Sequence, residues 1–327
     1  MIPYNWINEA ANRIEPHINR TPLTFDPDYK FYLKWESHQI TGSFKPRGAI
    51  NKVLALHPGE LQNGLVAASA GNHGQGVALA GKLVSAPVKV FCSDHAVPSK
   101  IQAMQALGAD VRTVPGGYRE AENTGKKYAR QHSATWISPY NDGYVIAGQG
   151  TIGLEVYQEL PPLEESEWFV PVGGGGLISG IGVSLEKANT KIRLIGVQSV
   201  ASSFFHGIYY QGTQEGIVEL PSLADGLAGP VEENSISIAM VRRLVDKFTL
   251  VTEEEIRGAI AFAWERYRER IEGSAAAALA AALSEKVRIH PAVIVISGGN
   301  IQPEVHAKII SGQYHPQTMD INGGNFS

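Results

Sequence analysis

Short apolar runs alternate with longer helical stretches along nearly the whole chain, and no other feature limits its fold so tightly. The runs "KFYLKW" (30–35), "GLVAAS" (64–69), "VKVFCS" (88–93), "DVRTV" (110–114), "EWFVPV" (167–172), "IRLIGVQ" (192–198), "FTLVT" (248–252) and "AVIVIS" (292–297) read as strands. Residues 46–56, 75–83, 98–107, 118–132, 148–160, 177–188, 253–271 and 274–283 read as helices. The first has Pro46 in its opening turn, where a missing N–H costs nothing, and the fifth is stopped by Pro161 and Pro162. Such alternation implies an α/β protein with open, twisted, mostly parallel sheets that carry helices on both faces. Ligands in these folds sit outside the carboxyl ends of strands, so the turns that follow strands are the places to look for chemistry. The polar tail after Ile310 is expected to be loosely ordered.

Those turns are rich in glycine: 35 of 327 residues are Gly, against a norm of about 7%, and clustered glycines let a backbone approach something closely. The rest of the composition mainly excludes. A net charge of −4 has the wrong sign for a nucleic-acid partner. A single cysteine, Cys92, rules out a disulfide framework and a cysteine-based zinc site. The opening "MIPYNWINEAANRIEPHINR" lacks a basic stretch followed by an apolar one, and no segment reaches the roughly 18–20 apolar residues of a membrane span. The expectation is a cytoplasmic protein of one large α/β unit or two domains.

Four segments hold candidate chemistry. In "VPVGGGGLISG" (170–180), Gly173, Gly174, Gly175 and Gly176 leave a strand and open a helix at Leu177. Successive amides there can converge on an anion, a phosphate above all, with the helix N-terminus adding positive potential. The turn has neither the Walker A lysine nor GxGxxG spacing, and a tight structural turn is the plainer alternative. In "ASAGNHGQG" (68–76), Ser69, Gly71, Asn72 and His73 follow another strand and could hold a carboxylate or a ligand oxygen; for His73 a hydrogen-bonded core histidine is the alternative. In "ISGGN" (296–300), Ser297 could bond a ring nitrogen or cap a helix. In "SFKPRGA" (43–49), Lys45 stands just before a proline and a helix. A surface lysine is the ordinary reading. Phe44 and the small residues around it suggest instead a buried amine, whose lowered pKa would make it a nucleophile.

Taken together, "SFKPRGA", "SAGNHGQGVA", "VIAGQGTIGLEV", "VGGGGLISG" and "SGGN" occur in an order that resembles the threonine dehydratase–serine racemase branch of the fold-type II pyridoxal-phosphate enzymes. The resemblance covers nearly the whole chain. It implies the tryptophan synthase β-like fold, with a large cofactor-binding domain (1–50 and 146–327) and a small domain (51–145) carrying the asparagine loop. It implies pyridoxal 5'-phosphate as cofactor, an amino-acid substrate and a homodimer. Lys45 would carry the cofactor as a Schiff base, with Phe44 against the ring, Asn72 on the ring hydroxyl and Ser297 facing the pyridine nitrogen. Gly173, Gly174, Gly175, Gly176 and Leu177 would cradle the phosphate. Ser69, Gly71, Asn72 and His73 would hold the substrate carboxylate. The implied reaction is β-elimination from a β-hydroxy L-amino acid such as threonine or serine. Lys45 removes the Cα proton, the β-hydroxyl leaves, and a 2-oxo acid and ammonia are released. A hydroxyl at position 297 does not hold the pyridine nitrogen protonated, which weakens the electron sink and favours elimination over transamination.

Two departures bear on the choice within the branch. Serine racemases carry a serine, the opposite-face base, where this chain has Ala70, which cannot exchange a proton. Racemase-like members place a glutamate and an aspartate around a divalent cation where this chain has Gln198 and Phe204, with Ser202 between, so no metal is expected. Serine racemase, or a dehydratase for another substrate such as hydroxyaspartate, is the nearest alternative. A nicotinamide enzyme would leave Lys45 unexplained, and a non-catalytic amino-acid sensor on the same fold would more readily have lost it.

Overall fold

The computed structural model describes residues 1–188 and 190–314, with only the backbone described at 285 and 286. It contains ten strands: β1 (Leu23–Asp26), β2 (Phe31–Trp35), β3 (Leu65–Ala68), β4 (Val88–Ser93), β5 (Asp110–Val114), β6 (Thr135–Trp136), β7 (Glu165–Pro171), β8 (Lys191–Ser199), β9 (Lys247–Val251) and β10 (Ala292–Ile296). They form a six-stranded sheet in the order β1-β2-β10-β7-β8-β9 and a four-stranded sheet in the order β5-β4-β3-β6. Every pairing is parallel except that of β1 with β2. The central strands β3 and β10 are buried at every residue, as parallel strands covered on both faces must be. One face of the large sheet is covered by the helix Gly273–Ala281, whose nine residues are all buried. Its small side chains let the sheet approach closely.

Three helices join the two sheets. Lys45–Leu54 packs with Asn72–Leu83 and with Gly143–Glu159, and glycines set the spacing: a Cβ at Gly48 would stand 2.6 Å from the carbonyl of Val145. Ala49, Ile50 and Val53 share one core with Leu65, Val77 and Val90 of the small-sheet unit. The expected domain boundaries at 50/51 and 145/146 thus fall inside Lys45–Leu54 and Gly143–Glu159. Among the described residues no helix is long and apolar enough to cross a membrane.

The expected strands all form, with ends shifted by a residue or two. One expected helix does not run its length. Residues 253–271 form a helix only over Glu253–Phe262, pass through a wider π-type turn at Ala263–Tyr267, and stop where Arg268 takes a left-handed φ of 57°. The cause lies in Asp26, which accepts bonds from Arg266 Nη2 at 2.8 Å and from Tyr267 Oη at 2.7 Å and draws that turn toward the β1–β2 connection. Helices at Asn5–Ile14, Phe204–Gln211, Ile236–Leu244 and Pro303–Ile310, and the short β1 and β6, add to the expected set. Of the tail expected to be loosely ordered, residues 315–327 lie outside the described residues.

Candidate active site

Lys45 is the first residue of its helix rather than the residue before it, because Phe44 already has helical angles (φ −62°, ψ −18°). The segment is fixed on both sides. The Phe44 N–H donates to the Ser297 carbonyl at 3.0 Å, and the Gly299 N–H donates to the Gly42 carbonyl at 2.8 Å. The lysine loop and the strand-end serine loop therefore lie edge to edge. Beneath them is a buried ionic cluster. The Arg47 guanidinium donates to both Glu36 oxygens (2.8 and 2.9 Å) and both Glu155 oxygens (2.6 and 3.0 Å), and Lys34 pairs with Glu155 at 2.7 Å. Two cations and two anions cancel, and the bidentate forks lock the orientation of the helix that carries Lys45.

The Lys45 amine has no hydrogen-bond or ion-pair partner among the described residues; it lies over the Phe44 ring, with Nζ 4.9 Å from the centroid. Burial pulls its pKa down to about 8, opposed by the charge of Glu272. Glu272 is itself pushed up to about 7, chiefly by burial and by Asp225. It accepts from Asn72 Nδ2 at 2.8 and 3.0 Å, while Asn72 Oδ1 accepts from Asn300 at 2.7 Å. The asparagine loop, the end of β10 and the start of the helix Gly273–Ala281 thereby meet at one point. His73 is buried, its ring bonded to the Ile137 carbonyl at 2.8 Å, and burial followed by Lys45 drives its pKa down to about 3. Its side chain is a neutral core group; what it offers to the cleft is its backbone amide. Ser69 Oγ accepts from the Gly71 N–H at 3.0 Å, which shapes the loop.

The glycine turn leaves β7 and opens the helix Gly176–Leu185. Gly175 has φ +83°, where a side chain would be strained. A Cβ on Gly174 would collide with the Tyr140 ring, and Ser237 Oγ donates to the Gly174 carbonyl at 2.7 Å. Among the described residues the amides of Gly174, Gly175, Gly176 and Leu177 have no acceptor. They are the open donors of a helix N-terminus. The Ser297 side chain is buried, and its hydroxyl likewise has no partner there. An unpaired amine, a row of open amides and an unpaired hydroxyl fit an aldehyde, a phosphate and a heterocyclic nitrogen, so the donor set suits pyridoxal phosphate.

Fold and site together define an α/β enzyme of the tryptophan synthase β-like class, built around a half-buried amine and a row of open amides. The model of the family "Pyridoxal-phosphate dependent enzyme" matches residues 14–298, and the chain belongs to that family. It is 39% identical over 318 residues to the L-threonine ammonia-lyase of Thermotoga maritima, covering 95% of this chain and 79% of that one. Among solved structures it is similar to maize serine racemase (TM-score 0.85, 29% identity, 95% of this chain and 97% of that one). It is similar also to threonine deaminase isoform 2 from Solanum lycopersicum (TM-score 0.84, 29% identity, 94% of this chain and 87% of that one).

Sequence reading missed Glu272, Tyr140, Ser237 and Asn300. Asn300 closes the motif "SGGN", and the turn "SPYNDG" marks Tyr140. Glu272 left a fainter signal, an acid immediately before the apolar stretch "GSAAAALAAAL".

Proposed function

We propose that the protein is a pyridoxal-phosphate-dependent ammonia-lyase that converts a β-hydroxy L-amino acid, threonine or serine in the first instance, to a 2-oxo acid and ammonia. The observation that carries the reading is the Lys45 amine: half-buried, its pKa drawn down by desolvation, unpaired among the described residues, and held edge to edge with Ser297 by the Phe44 backbone bond. Lys45 would hold the cofactor, with Phe44 beside the ring. Gly173, Gly174, Gly175, Gly176 and Leu177 would bind its phosphate through open amides, and Ser297 its ring nitrogen. Bound there, the cofactor supplies an electron sink that acidifies the substrate Cα–H. The chain's own part is to place and move a proton. The freed Lys45 amine, with a pKa near 8, is a base matched to neutral solution. Ser69 and the open amides of Asn72 and His73, on a loop that the Gly71 N–H shapes through Ser69, would fix the substrate carboxylate. Asn72, anchored by Glu272 and Asn300, would orient the ring hydroxyl.

The names of its relatives support threonine as substrate. The reading includes no divalent cation: Gln198 and Phe204 offer no carboxylate to a hard cation, and Gln198 Oε1 and Ser202 Oγ accept the His206 and Gly229 N–H at 2.7 and 3.2 Å inside the fold. It also includes a homodimer in the cytoplasm and two domains, with residues 51–145 as the smaller; the separate four-stranded sheet supports that division. Borohydride reduction of the loaded protein followed by peptide mass mapping should place a pyridoxyl group on Lys45, and L-threonine should yield 2-oxobutyrate. A label on another lysine would sink the assignment.

A further inference from the structure

Two helices begin side by side at the rim of the cleft. Asn72–Leu83 follows β3, Pro98–Ala106 follows β4, and those strands are parallel neighbours, so both N-termini open on the same edge of the small sheet. Lys100 lies in the first turn of the second helix. Its Nζ is 4.0 Å from where a Cβ on Gly71 would stand. From the short turn Asp225–Leu227, which lies between β8 and β9 in the chain, Asp225 reaches the same amine at 3.0 Å. The two partners differ in exposure: the Lys100 side chain is 21% exposed and that of Asp225 is 65% exposed. The amine is the fixed member and the carboxylate the replaceable one, because an ion pair with so solvated a partner contributes little. Both charges reach into the site, since Asp225 raises the pKa of Glu272 and Lys100 lowers it.

We propose that Lys100 is a substrate-contacting residue that reads the α-carboxylate of the incoming amino acid, with Asp225 as the counter-ion that the substrate displaces. This rests on the reading that the Ser69–His73 loop holds that carboxylate. A carboxylate on the open amides of Asn72 and His73 stands beside Gly71, within reach of the Lys100 amine, at the convergence of two helix N-termini. It is held by several donors at once, whereas Asp225 offers a single oxygen. The substrate therefore wins the amine, and the loop before Leu227, which packs on Gly173, is released from its tether.

The test is a spectral titration of the loaded protein with two amines, read from the cofactor absorbance. L-2-Aminobutyrate has the amine and the carboxylate but no hydroxyl to lose; propylamine has the amine alone. Lys100→Met should raise the Kd of L-2-aminobutyrate about tenfold, the equivalent of about 1.4 kcal/mol, and leave that of propylamine unchanged. Lys100→Arg should restore most of the loss, and Asp225→Asn should tighten L-2-aminobutyrate by removing the competitor. If Lys100→Met weakens both amines equally or neither, or if Asp225→Asn weakens binding as Lys100→Met does, the pair is only a tether between the sheets and the inference is wrong. A wild-type protein whose absorbance responds to neither amine overturns the cofactor assignment and this inference with it.

Discussion

Lys45 is held between two opposing influences, and its chemistry depends on their balance. Burial disfavours the ammonium and Glu272 favours it, leaving a pKa of about 8. Only the neutral amine attacks an aldehyde, so the rate at which the cofactor-free protein takes up pyridoxal phosphate should rise about tenfold per pH unit below that value and level off above it. Glu272→Gln keeps an oxygen that can accept from Asn72 but removes the charge that stabilises the ammonium. The midpoint of the uptake profile should then move to lower pH. Stopped-flow absorbance of cofactor loading across pH 6–10 checks both statements, and a midpoint that moves upward would refute the assigned role of Glu272. The lysine was singled out in "SFKPRGA" because Phe44 and the small residues around it suggest a desolvated amine. The glutamate was not: its significance arises from a contact with Asn72, 200 residues away, and short-range pattern carries no trace of such a pairing.

Among the elements, the turn from β7 into the helix Gly176–Leu185 is the most constrained. Its glycines were legible because four in a row at a strand end have few structural explanations. What the sequence concealed is the wall behind them, where Tyr140 packs against both Gly174 and Gly176. Gly174→Ala drives a methyl into that ring near its attachment to the backbone, which leaves it little room to yield. Cofactor affinity should fall at least about tenfold, roughly 1.4 kcal/mol or more, measured by fluorescence titration with pyridoxal phosphate, and retention of wild-type affinity would place the phosphate elsewhere. The element that misled is the segment 253–271. Its uninterrupted helical periodicity is real over Glu253–Phe262, but Asp26, far off in sequence, captures Arg266 and Tyr267 and ends the helix early. That early end frees residues 269–272 to cross toward β10, where the Glu272 N–H meets the Gly298 carbonyl at 3.1 Å. The short strands β1 and β6 escaped notice because four and two residues are too few to show a period.

At the scale of the whole molecule, the two sheets bring together Lys45, from the segment after β2, and the Ser69–His73 loop, from the turn after β3, which in the proposed reading are the base and the carboxylate-binding loop. The outcome of the reaction depends on what the second wall can do with a proton. With Lys45 as the sole base, the Cα proton leaves and returns on one face, and inversion requires an acid on the other within about 2.6–3.2 Å or one water. Ala70 is exposed in the cleft loop and has no exchangeable proton. Of its neighbours, His73 is a neutral group bonded to the Ile137 carbonyl, and the Ser69 hydroxyl and the Lys100 amine are committed in this reading to the substrate carboxylate. Elimination should therefore dominate with L-serine and L-threonine, giving 2-oxo acid and ammonia with little D-amino acid. Ala70→Ser introduces a hydroxyl on that wall and should raise D-serine formation by about 10- to 100-fold, the low end of what a positioned acid–base group contributes, with a smaller effect on pyruvate. Chiral chromatography of timed reactions resolves the two products. If the unaltered protein makes D-serine faster than pyruvate, an opposite-face acid is present, with Lys100 beside Gly71 the candidate, and the ammonia-lyase reading gives way to a racemase.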